Sequence, residues 1–262
     1  MKELKKVQNK VVVFDLDGTL LNSQNEIIGG DQTLSCLDLL KNMGCTLAIC
    51  TGRLDHDILK IQQKYNLLIE HRISQNGAVV ICEDSFNSEL LDKQEALAIY
   101  DQLKELPVRI EINTVANRYW TCDRDPDFPR ELYDSHIIKT DLKEVILCQP
   151  IVLFLIIGKQ DELEKIGQMI NQQYHLVQAI MTSATSLEIM SCEASKGKAL
   201  KKNFINEQIY AIGDSPSDFD MIEYSEYFYN VGQFENPSKA IYKTNILEAL
   251  KDICNKVKET ME

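Results

Sequence analysis

In the first third of the chain, short runs of purely apolar residues alternate with stretches whose apolar positions recur at helical spacing. Residues 11–14 (Val-Val-Val-Phe) are the first such run. A run with no polar position suits a central parallel strand covered on both faces. Gly18 breaks it. A helix is expected from near Asp31, with Leu34, Leu37 and Leu39 or Leu40 on one face, stopping at Gly44. The cycle then repeats with a strand over 46–50 and a helix over 55–65, where Ile58, Ile61 and Tyr65 share a face. A third strand is expected over 71–74, closed by Gln75-Asn76-Gly77. Strands alternating with helices predict a parallel sheet with right-handed crossovers.

The middle of the chain has another rhythm. Residues 79–82 and 88–91 flank a polar turn, as in a hairpin. A helix over 93–106 precedes strands over 108–112 and 118–122 and a polar, proline-bearing loop over 122–130. A strand over 151–157, a helix over 161–173 and a strand over 187–190 complete an α+β segment whose strands pair locally. The tail returns to the first style. Ser195 is a candidate N-cap for a helix through residue 202. A buried strand over 209–212, a short helix over 218–224, a strand over 227–231 and an amphipathic helix over 245–257 follow. The expected fold class is α/β, with a core built from residues 1–78 and 190–262 and an inserted α+β domain over 79–189.

Composition narrows the function classes. The formal net charge of -12 opposes binding to nucleic acid phosphates or anionic lipid, so neither is an expected partner. The longest apolar run, residues 151–157, is far short of the roughly 20 residues a membrane helix needs. No targeting segment is visible, because the run at 11–14 meets Asp15 too soon to be a signal core. A cytoplasmic location is expected. Eight cysteines contain no C-x-x-C pair, which argues for buried thiols in a reducing compartment and against a zinc or redox site. The four histidines are too scattered for a metal pattern.

The candidate chemistry sits where apolar strands stop. Asp15-Leu16-Asp17-Gly18-Thr19 places two carboxylates at the carboxyl end of a buried strand, the edge where open α/β sheets bind ligands. Gly213-Asp214-Ser215-Pro216-Ser217-Asp218 brings two more acids to the same kind of edge. Carboxylates converging there repel one another unless a divalent cation lies between them. Mg2+ suits hard oxygen ligands completed by a phosphate. Thr51-Gly52-Arg53 follows the second strand and opens a helix, where a hydroxyl and free N–H groups can hold an anion. Lys196 stands at a helix start, against the helix dipole. A metal, a nucleophile and cationic or polar clamps at one sheet edge suit phosphoryl transfer.

In order and spacing these segments resemble the haloacid dehalogenase-like (HAD) hydrolases, specifically Cof-type phosphatases with a type IIB cap. Residues 15–21 (Asp-Leu-Asp-Gly-Thr-Leu-Leu) are similar to the first family motif, Thr51-Gly52-Arg53 to the second, and Ser195-Lys196-Gly197 to the third. Gly213-Asp214 with Asp218 is similar to the fourth, and Ser74-Gln75-Asn76-Gly77-Ala78 resembles the segment that leads into the cap. The resemblance implies a Rossmann-like core and a cap that chooses the leaving group. It implies Asp15 as nucleophile and Asp17 as acid and base. Thr51, Gly52 and Lys196 would hold the phosphoryl group, with Asn76 beside the hinge as a substrate contact. Mg2+ would be bound by Asp15, Asp17 through its carbonyl, Asp214 and Asp218. Ser217 stands where the family often has asparagine. The expected activity is hydrolysis of small phosphorylated metabolites, sugar phosphates first, by a monomer or homodimer. A phosphatase of pyridoxal phosphate or flavin mononucleotide is the near alternative; a phosphomutase or a silent binding module is further off. Residues 118–124, with the only tryptophan, are a candidate for contact with the leaving group.

Overall fold

Val11, Val12, Val13 and Phe14 are each completely buried, which explains the unbroken apolar run. In the computed structural model, which describes residues 9–82, 85–121, 137–235 and 237–260, they lie on strand β1 (Lys10–Phe14). Helix α1 (Gly30–Asn42), β2 (Thr46–Cys50), α2 (Asp55–Tyr65) and β3 (His71–Ser74) follow as the periodicity predicts. A 3₁₀ turn at Gln75–Gly77 leads into a hairpin of β4 (Val79–Cys82) and β5 (Ser85–Ser88). Next come α3 (Lys93–Leu103), β6 (Arg109–Thr114), β7 (Arg118–Trp120) and β8 (Ile137–Ile138). They are followed by α4 (Leu142–Cys148), β9 (Ile151–Ile157), α5 (Gln160–Gln173), β10 (Val177–Ser183) and β11 (Ser186–Ser191). The chain closes with α6 (Lys196–Asn203), β12 (Gln208–Gly213), a 3₁₀ segment Pro216–Tyr224, β13 (Tyr227–Asn230), β14 (Ala240–Tyr242) and α7 (Ile246–Glu259).

The first sheet has the order β14-β13-β12-β1-β2-β3-β4-β5. It is parallel from β14 to β3 and antiparallel through the β4–β5 hairpin. Successive residues of β1 point to opposite faces. Val12 and Phe14 pack with Leu37 and Leu40 of α1, Ile58 and Ile61 of α2, and Leu250 and Ile253 of α7. Val11 and Val13 pack with Ala199 and Leu200 of α6 on the other side. Helices therefore cover both faces, and the chain can place polar side chains at the carboxyl ends of the central strands.

The second sheet has the order β10-β11-β9-β6-β7-β8 and is antiparallel except between β7 and β8. Only one face is covered by helices. Ile110, Ile112, Phe154, Ile156, Leu187 and Ile189 pack there with Ile99 of α3, Ile146 of α4 and Ile166 of α5. Its other face meets the first sheet through Leu153, Met190, Ala78 and Val79.

Several expectations change. The hairpin after residue 78 pairs with β3, so the chain leaves the first sheet after Ser88, not at residue 79. Its second strand is Ser85–Ser88 instead of 88–91. On return, β11 stays in the second sheet through Ser191, past the expected crossing at residue 190. Strand β10 escaped the pattern because it is an outer strand with mixed burial and polar positions. The brief elements α4, β8 and β14 give too short a period to detect. The loop over 122–130 lies outside the described residues. The seven described cysteines are free, and Cys148 is exposed, so burial holds only for some of them.

Candidate active site

Asp15 is the first residue past β1, and its N–H still donates to Ile212 O (3.1 Å) on β12. Its side chain is buried, as expected for a residue that inherits the position of a central strand. Asp214 is the first residue past β12, the strand paired beside β1. The sheet thus brings together two chain segments separated by most of the sequence. Carboxylate oxygens of Asp15, Asp214 and Asp218 lie within 4.8 Å of one another.

Gly18 makes that approach possible. It adopts φ +77°, and a Cβ there would stand 2.3 Å from Asp214 Oδ2. Next to it, the buried Thr19 donates Oγ1 to Asp214 Oδ1 (2.8 Å). Asp218 is held at both oxygens. Its Oδ2 accepts from Asp214 N, Ser215 N and Ser215 Oγ (each 3.0 Å), completing a capping box at the 3₁₀ segment. Its Oδ1 accepts from Lys196 Nζ (2.6 Å). Ser217 pairs its hydroxyl with that of Ser215 (2.8 Å).

Lys196 Nζ also donates to Asp15 Oδ1 (2.9 Å), so one ammonium bridges two buried acids. Its position follows from Ser195, whose Oγ caps α6 by accepting from Lys198 N (3.1 Å). Burial works against the lysine charge, but Asp15 and Asp218 outweigh it and hold its pKa well above the usual lysine value. The acids are less well served. Burial pushes Asp15 up to about 7, more than the Lys196 charge can offset, and repulsion from Asp218 adds to the rise. Burial likewise pushes Asp214 up to about 6 against the Thr19 hydrogen bond. Three carboxylates share one lysine, and this deficit of positive charge fits a divalent cation bound by hard oxygens.

Asp17 is placed differently. Its side chain is 56% exposed and turns to Arg53, receiving Nε on Oδ2 (2.8 Å) and Nη2 on Oδ1. Arg53 also reaches Asn25 Oδ1. The Asp17 carboxylate therefore stands at the mouth of the site, outside the three-acid cluster. Thr51 is buried just past β2, and its Oγ1 accepts from Arg53 N (3.3 Å). Gly52 follows, and a Cβ there would come 3.2 Å from Asn76 Oδ1, so the amide of Asn76 packs onto this loop. Asn76 N donates to Thr51 O (3.0 Å), and Asn76 Nδ2 donates to Glu188 Oε2 (2.7 Å).

Two partners escaped the sequence. Arg53 was visible as part of a phosphate loop, but nothing local indicated that it grips Asp17. Glu188 lies on β11 of the second sheet and reaches the first at Asn76. Its flanks, Leu187 and Ile189, are core residues, so strand alternation alone could have placed it on the opposite face. Trp120 is less available than expected. It is buried, with the Arg109 guanidinium 4.3 Å from its ring centroid. Cys122, Asp123 and Arg124 of the same candidate stretch lie outside the described residues.

The model of the haloacid dehalogenase-like hydrolase family matches residues 12–252. The chain belongs to this family. Phosphatase YwpJ of Bacillus subtilis is 26% identical to it over 82% of this chain and 86% of that protein. The 5-amino-6-(5-phospho-D-ribitylamino)uracil phosphatase YwtE of the same bacterium is 25% identical over 82% of this chain and 84% of that protein. A solved HAD subclass IIB sugar phosphatase superposes with a TM-score of 0.75 at 19% identity, over 96% of this chain and 99% of its own. The resemblance drawn from the motifs thus holds in fold and family, and the HAD enzyme is a phosphatase. Among the described residues no helix is long and apolar enough to cross a membrane.

Proposed function

We propose that this phosphatase hydrolyses small phosphorylated metabolites, sugar and polyol phosphates foremost, by way of an aspartyl-phosphate on Asp15. The observation that carries the proposal is the group of buried Asp15 and Asp218 and half-buried Asp214, with Lys196 bridging the first two. An Asp15 oxygen attacks phosphorus as the bond to the leaving oxygen breaks. Asp17, at the mouth, gives its proton to that oxygen. Water then attacks the phosphoenzyme, Asp17 takes the proton, and phosphate departs with Asp15 restored. Arg53 keeps the Asp17 carboxylate oriented between these transfers. Thr51, the Gly52 backbone and Lys196 hold the phosphoryl oxygens.

Mg2+ supplies, when bound, the charge neutralisation that lets a carboxylate approach a phosphate dianion. Asp15 and Asp214 are the side chains suited to ligate it, with the Asp17 carbonyl as a third donor. Asp218 has both oxygens engaged and serves as the brace that holds Lys196 and the Asp214 backbone. We assign the first sheet to the catalytic core and the second, entered after Ser88 and left after Ser191, to a cap that selects the leaving group.

One observation keeps a phosphorylated cofactor or its precursor in view. The substrate named for the relative YwtE carries a phosphorylated ribityl chain, a polyol phosphate, joined through an amine to a uracil ring. Phosphate release from a panel of hexose, polyol, pyridoxal and flavin monophosphates, with Mg2+ and after chelation, separates the readings. Turnover that survives complete chelation, or none on any ester, would refute the proposal.

A further inference from the structure

We propose that Glu188 is the cap's hydrogen-bond acceptor for a hydroxyl of the leaving group, and that it steers the enzyme toward uncharged, polyhydroxylated leaving groups. The inference rests on the phosphatase proposal above and adds to it a residue and a class of leaving group.

Glu188 joins the second sheet to Asn76, which packs on the loop at Gly52. Leu187 and Ile189 are sunk in the helix-covered core of the second sheet, so Glu188 projects from the other face, toward the first sheet. There Oε2 accepts from Asn76 Nδ2 (2.7 Å), and Asn76 in turn packs on Gly52. Oε1 accepts from no described residue and is left for a ligand. The contact ties Glu188 to the loop that holds the phosphoryl group, so a leaving group would meet it within its first few bonds.

The surroundings favour hydrogen-bond donors. Glu111 lies on the same face, in register with Glu188 through Leu155, and is itself paired with Arg109 (3.0 Å). Gln75, completely buried beside Asn76, donates Nε2 to Thr114 O (3.1 Å), which fixes its Oε1 as an acceptor. That oxygen has no partner among the described residues. Acceptors without donors are costly when buried, and hydroxyl groups supply the missing protons. A second phosphate or a carboxylate offers neither the Glu188 carboxylate nor the Gln75 oxygen a proton, and Glu111 already engages Arg109 on this face. Burial raises the Glu188 pKa, and the Asn76 hydrogen bond and the charges of Lys196 and Arg118 oppose that rise only in part.

The test is steady-state kinetics of the full-length enzyme with Mg2+, comparing wild type, Glu188→Gln and Glu188→Ala. The probes are glucose 6-phosphate, ribitol 5-phosphate, fructose 1,6-bisphosphate and p-nitrophenyl phosphate. Glutamine retains an oxygen for Asn76 and removes the charge, and a thermal melt checks that each variant folds. We expect kcat/KM on glucose 6-phosphate and ribitol 5-phosphate, whose leaving groups are uncharged, to fall about tenfold or more in both variants, the scale of one lost hydrogen bond to a charged group. The p-nitrophenyl ester, which has no hydroxyl to recognise, should change less than about threefold, and discrimination against the bisphosphate should shrink about tenfold. Equal losses on every ester would make Glu188 a structural clamp and overturn the inference, as would an unchanged substrate ratio. If folded wild-type enzyme released phosphate from no ester, the phosphatase proposal itself would fail, and this inference with it.

Discussion

The two sheets carry their polar residues in different places. Strand β1 is buried on both faces, so it has no room for a polar side chain until it ends, and its acids stand at the rim. Strands β6 and β11 are covered by helices on one face only. Glu111, Asn113 and Glu188 therefore sit in mid-strand, one residue away from core positions. The lesson is that a doubly covered sheet concentrates chemistry into short contiguous motifs, whereas a singly covered sheet spreads it along alternate positions of several strands. The first arrangement suits a reaction common to many substrates. The second suits recognition, since a residue on the face away from the helices can vary without disturbing the core behind it.

This contrast makes the rim and the cap separable by mutation. The largest effect should come from Asp15→Asn, which keeps the shape and removes the proposed nucleophile. Turnover should fall by about 10⁴-fold or more while the melting temperature stays within a few degrees. Phosphate release and a thermal melt on the same sample check both halves. Lys196→Met should damage the rim in both respects, because it leaves Asp15 and Asp218 buried without their shared cation. A loss of about 3 kcal/mol or more, near 10 °C in Tm, is expected along with loss of activity. Added Mg2+ should recover part of the stability and little of the rate.

Ile189→Ala probes the opposite region. It should cost about 2–4 kcal/mol through a cavity in the second core. Where the protein remains folded, kcat on an aryl phosphate should drop by less than about tenfold, which calorimetry and kinetics at low temperature would establish. The smallest effect is a pH dependence confined to the rim. Asp15 and Asp214 bind protons up to about 7 and about 6 in the metal-free protein, above the ordinary aspartate value of 3.8. The folded state then holds more protons than the unfolded state between about pH 4 and 7, so these two groups lower stability as pH rises. Mg2+ must displace those protons. Its affinity, measured by calorimetry, should therefore increase about tenfold or more from roughly pH 5.5 to 7.5 and then level off. An affinity flat across that window would contradict the assignment of these ligands.

The same contrast explains what was legible in the sequence. Asp15 and Asp214 are legible as candidates because each follows directly on an apolar strand, with Asp17 and Asp218 a few residues further along, and Lys196 because Ser195 marks the helix start. The parallel part of the first sheet followed from periodicity. The hairpin at Val79–Ser88 was assigned to the wrong sheet because its apolar pattern does not say which edge it will join; the pairing with β3 decides that. The Arg53 grip on Asp17 and the contact of Glu188 with Asn76 join residues 36 and 112 positions apart. Such pairs depend on how loops and sheets meet in space, and no local spacing encodes them.

The central claim, that two distant segments share one cation beside an attacking carboxylate, is tested most directly by a crystal of the enzyme soaked with Mg2+ and vanadate. The account predicts a magnesium ion about 2.0–2.1 Å from oxygens of Asp15 and Asp214, with vanadium facing the second Asp15 oxygen and Lys196 on the vanadate. A metal bound elsewhere, or vanadate seated away from Asp15, would contradict it.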